Sequence, residues 1–218
     1  MSDWSYAPPT EPWLTVIYED RDLVVLDKPS GLLSVPGRGA HLADSAQARV
    51  AARYPAAYPA HRLDLDTSGL LVFALRRKAE AELHRQFRDR TVDKVYLARV
   101  AGHPPQDAGR IDLALATEEG APRSRLDPAG RPALTRWQVR SRDPDGTALL
   151  ALHPETGRSH QLRLHLLALG HPILGDRFYA PLEVAAAAPR LLLHAAALSL
   201  NHPYHGDRRT FSAPAPFA

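Results

Sequence analysis

Short blocks of apolar residues, punctuated by Gly, Pro and acidic turns, run through most of this chain. Leu14 to Tyr18 and Leu23 to Asp27 have the length and composition of strands, with Glu19-Asp20-Arg21-Asp22 as the turn between them. Lys28-Pro29-Ser30-Gly31 and Pro36-Gly37-Arg38-Gly39 interrupt the pattern. Leu42 to Tyr54 is Ala-rich and predicts a helix, with Asp44 or Ser45 near its start and Pro55 beyond its end. Leu70 to Ala74 is continuously apolar, as a buried strand is. Ala79, Leu83 and Phe87 recur every fourth residue and predict a helix over Lys78 to Asp89. Val92 to Val100, Arg110 to Thr117, Ala133 to Ser141 and Thr147 to His153 read as further strands, the last two joined by the turn Asp143-Pro144-Asp145-Gly146. Ser159 to Leu169 predicts another helix, with Ser159 as N-cap, Gly170 as its stop and Leu162, Leu166 and Leu169 as its buried stripe. Leu191 to Leu200 is the last strand. Strands dominate, with two or three helices. The pattern predicts an α+β fold: a mixed, largely antiparallel β-sheet with flanking helices. Residues 1–12 carry little pattern and read as a flexible arm, and 13–218 show no linker or repeat, so a single domain is expected.

Composition narrows the function classes. The 218 residues, 44% of them apolar, suit a packed globular protein. No apolar run reaches the roughly 18 residues a membrane helix needs. The N-terminus lacks a secretory signal pattern, so a cytoplasmic protein without membrane contact is expected. There are no cysteines, which excludes disulfides and thiolate metal sites. The net charge is only +3, yet the only lysines are Lys28, Lys78 and Lys94. The remaining basic residues are arginines, whose planar fork pairs with phosphate through two contacts. Codon usage that favours arginine accounts for the same bias.

The candidate chemistry centres on His61-Arg62-Leu63-Asp64-Leu65-Asp66-Thr67-Ser68-Gly69. The Thr-Ser-Gly bend places Asp64 in a polar loop at the mouth of the apolar strand, where a carboxylate can serve as nucleophile or general base. Capping a turn is the alternative role for Asp64 and Asp66. Far along the chain, Thr156-Gly157-Arg158-Ser159-His160-Gln161 opens a helix with donors suited to an anion. Arg163, five residues beyond Arg158, points to another side of that helix. A buried arginine needs a carboxylate, and Asp64 and Asp176 both qualify. His160 and His165 are five apart rather than the four of a helical metal pair, and His202 and His205 have no acidic residue at metal spacing, so no metal is expected. Ser68 lies outside a Gly-x-Ser-x-Gly elbow, and a hydrolase would require it exposed beside a histidine. No phosphate loop for ATP is present.

Six segments in order resemble the RluA-type family of RNA pseudouridine synthases, over about Leu14 to Phe211. They are Leu23 to Gly31, His61 to Gly69, Lys94-x-Tyr96-x-Ala98, Thr156 to His165, Gly170-His171-Pro172-Ile173-Leu174-Gly175-Asp176 and Leu193-His194-Ala195. The resemblance implies a central RNA-binding cleft and isomerisation of uridine to pseudouridine. It makes Asp64 the residue that initiates cleavage of the uracil–ribose bond. Tyr96 would stack on the target uracil, although cross-strand packing is the favoured role for a tyrosine there taken on its own. Arg163 would pair with Asp64, Leu164 would pack beneath the base, and Arg62 would replace the flipped nucleotide in the RNA stack. His61, Arg158, His160 and Gln161 would contact RNA backbone or support the site. No cofactor and no metal are implied. The N-terminal S4-type module of many relatives has no counterpart before the first strand here. The short branch that this resembles acts on stem-loops of tRNA, 23S rRNA or both, and a monomer is expected. A non-catalytic RNA-binding or RNA-folding protein on the same scaffold is the alternative. Asp64→Asn separates the two, because only an enzyme would lose its product.

Overall fold

The computed structural model describes residues 6–118 and 123–218. The chain forms two compact units, Met1–Asp93 with Ala197–Ala213, and Lys94–Ala196 with Pro214–Ala218. The architecture is α+β, with mostly antiparallel strands and, among the described residues, four α-helices.

In the first unit, β1 (Val16–Glu19) and β2 (Leu23–Lys28) form the expected hairpin. Its turn is closed by Asp20, whose Oδ1 accepts the amides of Asp22 and Leu23. β2 pairs with β4 (Ser68–Ala74) in a register that sets Leu26 against Leu71 and Lys28 against Gly69. All seven residues of β4 are buried, as a strand covered on both faces requires. The two-residue β3 (Tyr58–Pro59) pairs with the far end of β4. Helix α1 (Ala46–Arg53) starts where Ser45 accepts the amide of Ala48. Helix α2 (Arg77–Arg88) buries Ala79, Leu83 and Gln86.

The N-terminal segment read as an arm makes specific contacts with the first unit. Residues 1–5 lie outside the described residues, but from Tyr6 onward the segment is anchored. Tyr6 donates to the carbonyl of Asp44 and accepts the amide of Leu33. Arg49, buried in α1, pairs with Asp44, donates to the carbonyls of Pro9 and Trp13, and lies 4.1 Å above the Trp13 ring. A buried guanidinium needs these acceptors, and the arm supplies two of them.

In the second unit, β5 (Asp93–Ala101, whose first residue closes the first unit) pairs with β10 (Thr147–Pro154). β10 pairs with β9 (Leu134–Arg142), and β9 with β6 (Ala108–Asp112). The predicted strand Arg110 to Thr117 is thus two strands. Its second half, β7 (Leu115–Thr117), leaves β9 to form a hairpin with β8 (Ser124–Leu126). Helix α3 (Gln161–Ala168) packs Leu162 and Leu166 into a core with Ala98, Trp137, Leu150, Leu152 and Ile173. A short helix α4 (Leu182–Ala186) follows. β11 (Leu193–Asn201) begins in the second unit and ends in the first, where it pairs with β12 (Arg208–Ser212).

Candidate active site

The loop before β4 carries Arg62, which is exposed, and Asp64, which is half-buried. Four successive carbonyls of this loop are held by the protein. Leu63 is bound twice by Ser34, whose Oγ donates to its carbonyl at 2.7 Å and accepts its amide at 3.0 Å. The carbonyl of Asp64 accepts the amide of Thr67. That of Leu65 accepts both the amide of Gly31 and the ammonium of Lys28. That of Asp66 accepts the hydroxyl of Ser30 at 2.7 Å. Lys28 is itself buried, and its ammonium also donates to the carbonyls of Pro29 and Leu32. The apparent break Lys28-Pro29-Ser30-Gly31 is therefore the clamp on which the Asp64 loop sits. Each clamp group bonds backbone, so no pattern of side chains along the chain announces it. The only signal is that the segment belongs to the first of the six resembling motifs.

His61 faces inward. Its Nε2 accepts the amide of Val72, and its ring stacks on Phe87 with centroids 4.8 Å apart. It braces the loop against β4 and α2. Ser68 is only 4% exposed, which removes the exposed nucleophile that a hydrolase requires.

In the second unit, Tyr96 lies opposite Leu152 on β5 and packs, half-buried, against the core that contains Ala98. Helix α3 does not start as expected. Ser159 is not the N-cap; His160 is, in the left-handed conformation at φ 56°, and no side chain caps the first turn. The cause is Gln161, which is buried and turned back. Its Oε1 accepts the amide of Arg158 and the hydroxyl of Thr156, and its Nε2 donates to Leu134 and Thr135. Gln161 thus supports the turn, and the Arg158 amide expected for an anion is already taken. The Arg158 side chain donates to the carbonyl of Pro132. Leu164 packs with Leu115, Ala133 and Tyr179. His165 is buried between Thr135 and the carbonyl of Leu113. A carbonyl can only accept, so Nε2 carries the proton, and burial lowers the imidazole's pKa, which favours the neutral ring.

Asp176, one of the two carboxylates open to Arg163, pairs with it. Nε and Nη2 donate to the two oxygens at 2.8 and 2.5 Å, and both side chains are 2% exposed. This fork uses one edge of the guanidinium and does not involve Nη1.

Chain spacing also hid one cluster. Among the described residues, Asp20, Asp22 and His202 bring ligand atoms within 4.8 Å of one another. Asp20 and His202 already have hydrogen-bond partners at their ligand atoms. Asp20 accepts from Tyr18, His202 and two amides, and Nδ1 of His202 accepts the amides of Tyr204 and His205.

Comparison with known proteins places this geometry. The solved human RNA pseudouridylate synthase domain containing 1 superposes with a TM-score of 0.78 at 30% identity, covering 94% of this chain and 84% of that one. The fold is therefore that of an RNA pseudouridine synthase. Residues 22–168 match the family model for RNA pseudouridylate synthase, and the chain belongs to that family. The dual-specificity RNA pseudouridine synthase RluA of Escherichia coli (strain K12) is 52% identical over 215 residues, 98% of each chain. The protein of that name from Pasteurella multocida (strain Pm70) is 51% identical over the same share.

Proposed function

We propose that this chain isomerises uridine to pseudouridine in stem-loops of transfer RNA, 23S ribosomal RNA or both, acting as a cytoplasmic monomer with Asp64 as its essential residue. The observation that carries this reading is the Asp64 loop, with the carbonyls of residues 63 to 66 all fixed by hydrogen bonds inside the protein. A side chain on so rigid a mount loses little entropy when it meets a reacting group. Identity of about half over nearly the whole length to enzymes named dual-specificity supports more than one kind of RNA substrate.

In this mechanism the target nucleotide leaves the stack, because its glycosidic bond is out of reach inside a helix. Exposed Arg62 takes its place. Asp64 initiates rupture of the bond between ribose C1′ and uracil N1. The base turns, C5 bonds to C1′, the proton on C5 departs and N1 gains one. Atoms and electrons balance within the nucleotide, so the isomerisation needs no redox partner. Tyr96 stacks on the uracil. Arg163, oriented by Asp176, is the counter-ion to Asp64 in this reading. Leu164 lines the site beneath the base. His61, Arg158, His160 and Gln161 support these groups.

Mapping pseudouridines in total RNA from cells with and without the gene tests the reading. The expected result is loss of at least one site in tRNA or 23S rRNA, restored by the wild-type gene. An unchanged map contradicts it.

A further inference from the structure

Arg163 is held by more than its carboxylate. Oδ1 of Asp176 also accepts the amides of Phe178 and Tyr179, at 3.0 and 3.2 Å. One carboxylate therefore both forks the guanidinium and folds the next three residues over it. Both aromatic rings arrive on the same cation, with Cζ of Arg163 5.0 Å from each ring centroid.

The two rings also engage the β7–β8 hairpin. Cζ of Arg123 lies 5.1 Å from the Phe178 centroid. The amide of the next residue, Ser124, donates to the Tyr179 hydroxyl at 2.9 Å, and that hydroxyl lies 2.5 Å from Nδ1 of His160. Consecutive residues at the start of β8 thus dock on consecutive residues of the clamp. His160, the residue in left-handed conformation at the start of α3, is tied to the same phenol. Such strain persists where the surroundings over-determine it. Phe178 is 39% exposed, so burial alone does not explain its place.

We propose that Phe178 and Tyr179 are positioning residues that fix the guanidinium plane of Arg163 and couple it to the β7–β8 hairpin through Arg123 and Ser124. This rests on Arg163 acting in the reaction, as proposed above. Neither ring is assigned a contact with RNA. Their loss therefore slows the chemical step and leaves RNA affinity alone.

The test compares Phe178→Leu, Phe178→Tyr, Arg123→Ala and Arg163→Lys in the full-length enzyme. A tRNA stem-loop found to be modified by the wild type serves as probe. RNA Kd and the single-turnover rate at saturating RNA are measured separately. The expected result for Phe178→Leu is a rate lower by about tenfold, the scale of a desolvated cation–π contact, with Kd within about twofold. Tyrosine, which keeps the aromatic face, restores the rate. Arg123→Ala, a surface change that keeps the fold testable if the leucine variant melts, lowers the rate by a smaller factor with Tm unchanged. Full rate in Phe178→Leu, or in Arg123→Ala where the leucine variant melts, overturns the proposal, as does a raised Kd at normal saturated rate. Arg163→Lys separates the two readings. If it is inactive while Phe178→Leu runs at full rate, only the clamp fails. If it runs at full rate, the role given to Arg163 fails first and the clamp with it.

Discussion

Lys28 and Ser34 do work at a distance that their own chemistry does not reveal. Neither bonds the carboxylate in the contacts described above; each grips the peptide groups beside it. Ser34→Ala removes the partner of both the amide and the carbonyl of Leu63. A buried peptide group left unpaired costs about 1–3 kcal/mol. The expected outcome is a lower urea midpoint together with a reduced rate of pseudouridine formation. A variant with unchanged stability and rate would show that the loop does not depend on this pair. Legibility at this scale was uneven. Asp64 at a strand entrance suited a turn cap as well as chemistry, and only the resemblance of its motif singled it out. The clamp beneath it was hidden, because side-chain-to-backbone bonds across some thirty residues leave no periodic trace. For Arg163, spacing left Asp64 and Asp176 equally open, and only the folded chain showed which oxygens its Nε and Nη2 meet.

The long elements follow their periodicity, and most of the shortest do not. β4, α2, β5, β9 and β10 lie within a few residues of their predicted places, because uniform or alternating burial writes itself into the chain. β3, β8, β12 and α4 were missed, since pieces of two to five residues carry too few apolar positions. Helix α3 was placed, but its start was displaced by the buried Gln161, a tertiary contact that overrides the capping preference of Ser159. The β1–β2 and β11–β12 turns meet through Asp20 and His202 at 2.7 Å. Burial pushes the Asp20 carboxyl up, but hydrogen bonds from Tyr18, the Leu23 and Asp22 amides and His202 outweigh it and bring it down to about 2. A carboxylate whose folded pKa is depressed adds stability above its ordinary value of 3.8, and loses it as pH falls through about 2. Urea midpoints at pH 5, 4, 3 and 2 should therefore show the gap between wild type and Asp20→Asn narrowing below pH 4. A gap that stays constant would contradict the assignment.

At the scale of the whole molecule, the chain joins a unit bearing Asp64 to a unit bearing Tyr96 and Arg163, with β11 contributing residues to both. The six motifs that carry the resemblance are spread across both units, which is why composition alone was silent about function while their order was informative. Substrate choice was the least legible feature. Arginine-rich surfaces supply affinity to any phosphate backbone, and RNA loops are read largely by shape and by the flipped base. The central claim concerns one carboxylate. Asp64→Asn keeps the volume of the side chain and removes its charge. Its single-turnover yield of pseudouridine, measured on a stem-loop that the wild type converts, tests the account directly. The account predicts no detectable product, with RNA Kd and Tm at their wild-type values. Product at the wild-type rate from the asparagine variant would contradict it.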